Sequence, residues 1–357
     1  MKSTKIILGI ACILSVQTGW GALQTWNGSV SGDWNVAANW TPPSGPPVVP
    51  TTGDSVVFPG GVPTSIFDVQ PFTINGPNTF LINASLPYTI GQTGPAMGPF
   101  TFDSSAVPNL QFEGAAGSSS IYTPIIISGA TTLTVEVDNA LTSSLLGSIT
   151  EIAGAGAINK TGNGTLTLGS PNTYTGGTTI SQGALQANAA GATFTGDFVI
   201  GTLNGATNGE LDLNGYSNTI NSLSGYPLSS STVIFGAAPA LLTINGSLNT
   251  TYNGIFGYFG DTGAFTLSGS GSLTVTGTGA FYQGQTIVES TSTFIVNTEL
   301  ESSQVTVTFG ATIGGNGTLD GNLMIDSGGF VSPGTSSPPT YETLTIHGSY
   351  TQQGTYN

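Results

Sequence analysis

The chain of 357 residues carries eighteen acidic side chains against three lysines and no arginine, a formal net charge of −15, yet charged residues make up only 6% of it. Nucleic-acid binding depends on lysine and arginine meeting phosphates, so no nucleic-acid partner is expected, and an anionic membrane surface would repel the chain. Despite 53 glycines, a hydrophobic content of 38% set in regular short runs argues for a packed core over disorder.

The amino terminus reads as an address. Lys2 and Lys5 precede a mostly apolar run from Ile6 to Val16, and Gly19 and Gly21 supply a small-x-small cleavage pattern. Residues 1–21 are therefore expected to be a signal peptide, with the mature chain beginning near Ala22. Cys12 invites a lipoprotein reading, but the apolar run before it is short and Gly9 stands where a branched residue is expected. Its removal leaves no cysteine, so stability must come from the core and the backbone ladder. Lys160 is then the sole basic side chain besides His347.

Residues 22–115 form a second region of distinct composition. Trp26, Trp34 and Trp40 fall close together, prolines crowd "TPPSGPPVVP", and further prolines recur from Pro59 to Pro108. Proline removes ladder donors, which predicts edge or irregular strands and a Trp/Pro-rich N-terminal β cap over an open end. An aromatic sugar-binding platform is the functional alternative for the tryptophans.

From residue 116 to 357 one pattern dominates. "GTLTLG", "GELDLNG", "LLTINGS", "GAFTLSG", "GSLTVTG", "QVTVTFG" and "ETLTIHG" alternate apolar with Thr, Asp or Glu and close on glycine or asparagine. Helical spacing with caps is absent. "GNGTLTLGSPNTYTGGTTI" from Gly162 aligns without a gap on "GSGSLTVTGTGAFYQGQTI" from Gly269, pairing Leu166 with Leu273, Leu168 with Val275, Tyr174 with Phe281 and Ile180 with Ile287. Self-similarity that keeps apolar positions marks stacked repeats. The expected fold is all-β, a right-handed parallel β-helix (β-solenoid) of about twenty residues per coil, hence on the order of sixteen coils and a rod about 75 Å long. Tandem β-sandwiches are the runner-up.

The segment "GAGAINKTGNGTLTLGSPNTYTGGTTISQGALQ", residues 154–186, closely resembles the autotransporter-associated β-strand repeat, also called the passenger-associated transport repeat, of bacterial surface proteins. The positions that carry the likeness are Lys160, Gly162, Gly164, Leu166, Leu168, Tyr174, Gly176, Gly177, Ile180, Gly183 and Leu185. Residues 269–297 look like a degenerate copy that has lost the paired glycines at Gln283 and Gly284. The resemblance implies an exported β-helical passenger at the cell surface, in the outer membrane or outside the cell, whose repeat assists transport and folding and which serves an adhesin-like or surface-structural role. It implies an outer-membrane translocator barrel as partner, for which this chain has no room before Asn357, and a host or matrix surface ligand. A fragment of a longer autotransporter is a further reading.

Catalysis finds little support in the residues. Lyase chemistry wants an arginine or lysine base and a polyanionic substrate, which this charge disfavours. A glycan-active alternative would need an Asp/Glu pair drawn from Glu210, Asp212, Asp320 and Asp326. "DSGG" at Asp326 to Gly329 lacks the glycine before it, and His347 has no evident triad partner. No catalytic residue, cofactor or metal site is expected.

Overall fold

The computed structural model describes residues 21–60, 65–75, 79–83, 86–92, 98–103, 108–114, 118–138, 141–189, 196–202, 208–226, 231–236, 240–258, 260–334 and 342–353. Lys2, Lys5, Cys12, Gly19 and the rest of the expected signal sequence up to Trp20 lie outside them.

Short alternating strands dictate the architecture, because each has one apolar edge to bury and no partner within its own coil. They stack instead on the strands one coil away, giving a parallel β-solenoid with three sides. The first side begins in a ten-stranded sheet and continues, after Ser222–Gly225, into the five-stranded sheet that starts at Asn249–Tyr252. The second side is a nine-stranded sheet from Ser65–Ile66 to Ile255–Phe256, extended by Glu299–Leu300, Thr318–Leu319 and Thr345–Ile346. Four strands from Phe72–Asn75 to Ile149–Ile152 open the third side, and seven strands from Asn218–Ile220 to Tyr350–Gln352 complete it. One 3₁₀ turn, Ala37–Asn39, is the sole helical element among the described residues.

Registers align the inward side chains in columns. On the first side Val56, Phe80, Leu110, Val135, Lys160, Ile180 and Ile200 follow one another coil by coil. On the second, Leu166, Leu185, Leu211, Val233 and Phe256 do the same. The apolar members are buried in one continuous core, and a register slip would turn a whole strand's apolar set outward. Outward polar side chains also bond between coils, as Gln111 Nε2 to Glu136 at 2.8 Å and Gln186 Nε2 to Asp212 at 2.8 Å.

Coil length varies more than the sequence suggests. Ile180 pairs with Ile200 and Thr312 with Phe330, but Phe80 pairs with Leu110. The long amino-terminal coils hold the stack below sixteen coils, and the strands on either side of their corners keep register all the same. Prolines fit there. Pro71, Pro99 and Pro124 occupy the same step before three third-side strands, and the carbonyls of Pro99 and Pro124 accept from Phe72 N–H and Phe100 N–H at 3.1 and 2.9 Å. A residue at that step supplies only its carbonyl, so the missing N–H costs nothing.

The parallel ladder does not begin at residue 116. Leu23–Trp26 already pairs in parallel with Ser55–Pro59, and Thr79–Asn83 and Asn109–Glu113 continue the same sheet into Thr132–Val137. Among the described residues, antiparallel pairing is confined to Trp40–Thr41, laid on the free edge of Leu23–Trp26, and an isolated bridge between Gly315 and Gly334. Such pervasive parallel pairing rules out tandem sandwiches.

The tryptophans close the amino-terminal end from inside. Trp40 packs edge-on against Trp26 at 5.0 Å and Trp34 at 4.7 Å, and Trp34 reaches Phe72 and Phe100 in later coils. Trp40 Nε1–H donates to the Trp34 carbonyl at 2.9 Å. All three indoles are buried, so no ring is left as a sugar platform. Replacing Trp40 by alanine removes the ring shared by this cluster and is expected to cost about 3–5 kcal/mol; limited proteolysis should then cut first within the amino-terminal coils, with the carboxy-terminal coils still resistant.

Candidate functional site

The repeat occupies two successive coils, in which Lys160 is followed by Ile180 and Ile180 by Ile200 on the first side. Its strands Ala157–Thr161 and Thr178–Ile180 lie on the first side and Thr165–Leu168 and Gly183–Ala187 on the second. Leu166, Leu168, Ile180 and Leu185 are fully buried in the columns described above.

Lys160 stands in the apolar column between Val135 and Ile180 and is completely buried. Its ammonium donates to the carbonyls of Thr161 at 2.7 Å, Gly162 at 2.9 Å and Gln182 at 3.0 Å. Three N–H bonds therefore meet three carbonyls, two in its own coil and one in the next, which fastens successive coils at a corner. Burial lowers the Lys160 pKa from 10.5 to about 8, against the opposing pull of Glu136 and Asp138 on the preceding coil.

Glycine is required where the corners touch. At Gly183, with φ of +69°, a Cβ would sit 2.4 Å from the carbonyl oxygens of both Gly162 and Gly164. At Gly177, φ is +90° and a Cβ would lie 2.6 Å from the Asp197 oxygen, while Gly176 beside it donates to Gly156 at 2.8 Å. Between these corners the buried Tyr174 hydroxyl meets Thr178 Oγ1 at 2.7 Å, so the phenol enters the core with its polar end satisfied, and burial raises its pKa. Outside, Glu151 accepts from Gly156 N–H, Thr175 N–H and Thr175 Oγ1. Desolvation pulls its carboxyl upward, but the bonds from Thr175 and Gly156 hold it below its ordinary value.

The second copy keeps this chemistry with a one-residue shift that the gapless alignment missed. Leu273 and Val275 are buried as Leu166 and Leu168 are. Beyond them the buried phenol is Tyr282, bonded to Thr286 as Tyr174 is to Thr178, and Val288 takes the place of Ile180. Phe281 and Ile287 are only partly buried. Gly284 therefore matches Gly176, and the missing glycine is the second of the pair, at Gln285. An inserted residue is absorbed by a corner because strand alternation fixes which side chains face the core. The copy is also turned by one side: Ser272–Val275 lies on the first side, whereas Thr165–Leu168 lies on the second.

Tyr282 and the pairing of each buried tyrosine with a threonine escaped the sequence reading, although tyrosine four places before threonine is the signal that finds both pairs. Of the carboxylates considered for hydrolysis, Glu210 and Asp212 stand two residues apart on the outward face of one strand, while Asp320 and Asp326 lie in later coils. Asp212 is held by Gln186 and Asn214 N–H, and Asp320 by His347 Nδ1 at 2.7 Å. Burial, then the neighbouring Asp212, raises the Glu210 pKa. The backbone carbonyl of Asp326 accepts from Gly329 N–H in a turn, and His347 is committed to Asp320. Among the described residues no group of three or more His, Cys, Asp or Glu could hold a metal ion.

Lys160 gives a pH signature. A base whose pKa falls from 10.5 unfolded to about 8 folded contributes least below its folded value and progressively more as pH rises toward the unfolded one. The melting temperature is expected to rise between about pH 8 and pH 9.5, before exposed tyrosines of the unfolded chain ionise, and Lys160→Met should flatten that rise.

Comparison with known proteins matches these coils. The passenger-associated-transport-repeat family matches residues 158–187. A protein described as "Adhesin BmaC autotransporter", from Brucella suis biovar 1 (strain 1330), is 33% identical over 162 residues, which cover 45% of this chain and 4% of that protein. The chain thus spans a small part of that relative's length. No solved structure matches. With the repeat built into its core, the chain is a parallel β-solenoid that carries a passenger-associated-transport-repeat and is similar over part of its length to an autotransporter adhesin.

Proposed function

We propose that the chain is a non-catalytic passenger segment exported to the bacterial cell surface, where its repeat assists folding during transport and its rod has an adhesin-like or surface-structural role. The observation that carries this reading is the parallel ladder, in which each strand is completed by the coil before it and the coil after it. A chain emerging end first can settle coil upon coil, without waiting for distant segments. Within the repeat Lys160 ties one coil to the next, which suits a segment that must order early. An outer-membrane translocator barrel is the partner this reading requires. The adhesive role rests on the relative's description as an adhesin; the ligand is a host or matrix surface. The carboxylate beside Glu210, Asp212, is engaged by Gln186 and Asn214, which weighs against an enzymatic alternative.

An in-register deletion tests the role of the repeat. Lys160 pairs with Ile180, so removing residues 161–180 joins Lys160 to Ser181 and leaves the following strand in register. Gln304 pairs with Asn322, so removing 305–322, outside both copies, is the matched control. With the chain fused to a translocator barrel, the first deletion is expected to lower surface exposure several-fold and the control to leave it near wild type, by antibody labelling of intact cells. Equal display of the two would remove the repeat from the transport step.

A further inference from the structure

The second side carries an outward cavity of about 340 Å³ lined by Ile255, Tyr258, Phe281 and Glu301. Its parts come from successive coils. Ala280 pairs with Leu300, Leu300 with Leu319 and Leu319 with Ile346. The residues that follow, Phe281, Glu301, Asp320 and His347, therefore form one column, and each of the last three donates its N–H to the coil before, at 2.8, 3.0 and 2.9 Å. Tyr258 is 57% exposed, so its ring belongs to the surface, not the core.

Two features of this cavity are at odds with a merely solvated face. Its walls are aromatic and aliphatic where outward positions elsewhere are mostly Thr, Ser and Asn. Its charge is also uncompensated: Glu299 and Glu301 share one coil and Asp320 follows in the next, an arrangement of like charges that opposes itself. Burial first, then Glu299 and Asp320, raises the Glu301 pKa. His347 faces this group, but Asp320 binds it at 2.7 Å. The chain has no arginine, and Lys160 is buried in an earlier coil.

A cation from outside that tolerates apolar walls would satisfy both features. Guanidinium fits better than ammonium, because its flat face stacks on aromatic rings, it is weakly hydrated, and its N–H groups fork onto a carboxylate. A neutral sugar would use the rings and leave the charge unmet. We propose that this cavity receives an arginine side chain from an extended basic segment of a partner protein, stacked on Tyr258 and Phe281 and hydrogen-bonded to Glu301. The proposal names a partner chemistry that the adhesive reading leaves open, and it does not depend on how the chain is exported.

The test uses purified residues 22–357 with fluorescent nona-arginine and nona-lysine peptides at physiological ionic strength. The arginine peptide is expected to bind more tightly, with Glu301→Gln and Tyr258→Ala each weakening it about tenfold. Asp103→Asn, which removes the same charge from the third side, should change it by less than about twofold. Equal binding of the two peptides, equal loss in all three variants, or no binding would overturn the site. Those outcomes would leave the display of the deletion variants, and so the transport reading, unaffected.

Discussion

Everything in this molecule follows from one constraint: a coil cannot satisfy its own backbone. Its N–H and C=O groups point along the rod axis, so the coil above and the coil below must complete them, and the inward side chains must match their neighbours in depth and size. A chain held this way needs few charged contacts. It needs glycine where corners touch, as Gly183 shows against Gly162 and Gly164, and it needs its free ends covered. At the amino terminus Trp40–Thr41 lies antiparallel on the first strand while three indoles fill the interior behind it. The last coil, with Phe330–Pro333, Thr345–Ile346 and Tyr350–Gln352, is more exposed, and its pairing side is not covered by another strand among the described residues.

Polar groups inside the rod are admitted only with partners close by. Lys160 would be costly in an apolar column, but it stands one step from a corner, where carbonyls turn inward and accept all three of its hydrogens. Tyr174 and Tyr282 follow the same rule with a threonine four residues on, and in the second copy Ser302 extends the pair, donating to the Gly284 carbonyl while Thr286 donates to it. The repeat is thus a recurring solution for bringing a polar head into a solenoid core. Because the two copies sit on different sides, it specifies a corner and its flanking strands and not a fixed face of the prism.

Much of this was legible in the sequence because two-residue alternation reports directly which side chains face inward. Leu166, Leu168, Ile180 and Leu185 could be placed in the core, and glycine at their flanks in the corners, from pattern alone. What alternation does not report is corner length, since corners have no period. Hence the one-residue insertion before Tyr282 went unseen in an alignment that paired Tyr174 with the adjacent aromatic, Phe281. The same blindness made the loop-rich coils of residues 55–113 look like a separate unit, because prolines that fit the corners read as breaks in strands. Alternation from Ile158 turns Lys160 inward, but what satisfies its ammonium there was not legible locally, because one acceptor is Gln182 in the next coil.

The most direct test of the coil-by-coil account is hydrogen exchange by mass spectrometry on the purified mature chain. The account predicts continuous protection through the strands from Ser55–Pro59 to Asn322–Ile325, with no step at residues 115–116, the least protected segment being the terminal coil that holds Thr345–Ile346 and Tyr350–Gln352. An amino-terminal block up to residue 115 that exchanges as an independent unit, or rapid exchange through the strands of residues 157–187, would contradict it.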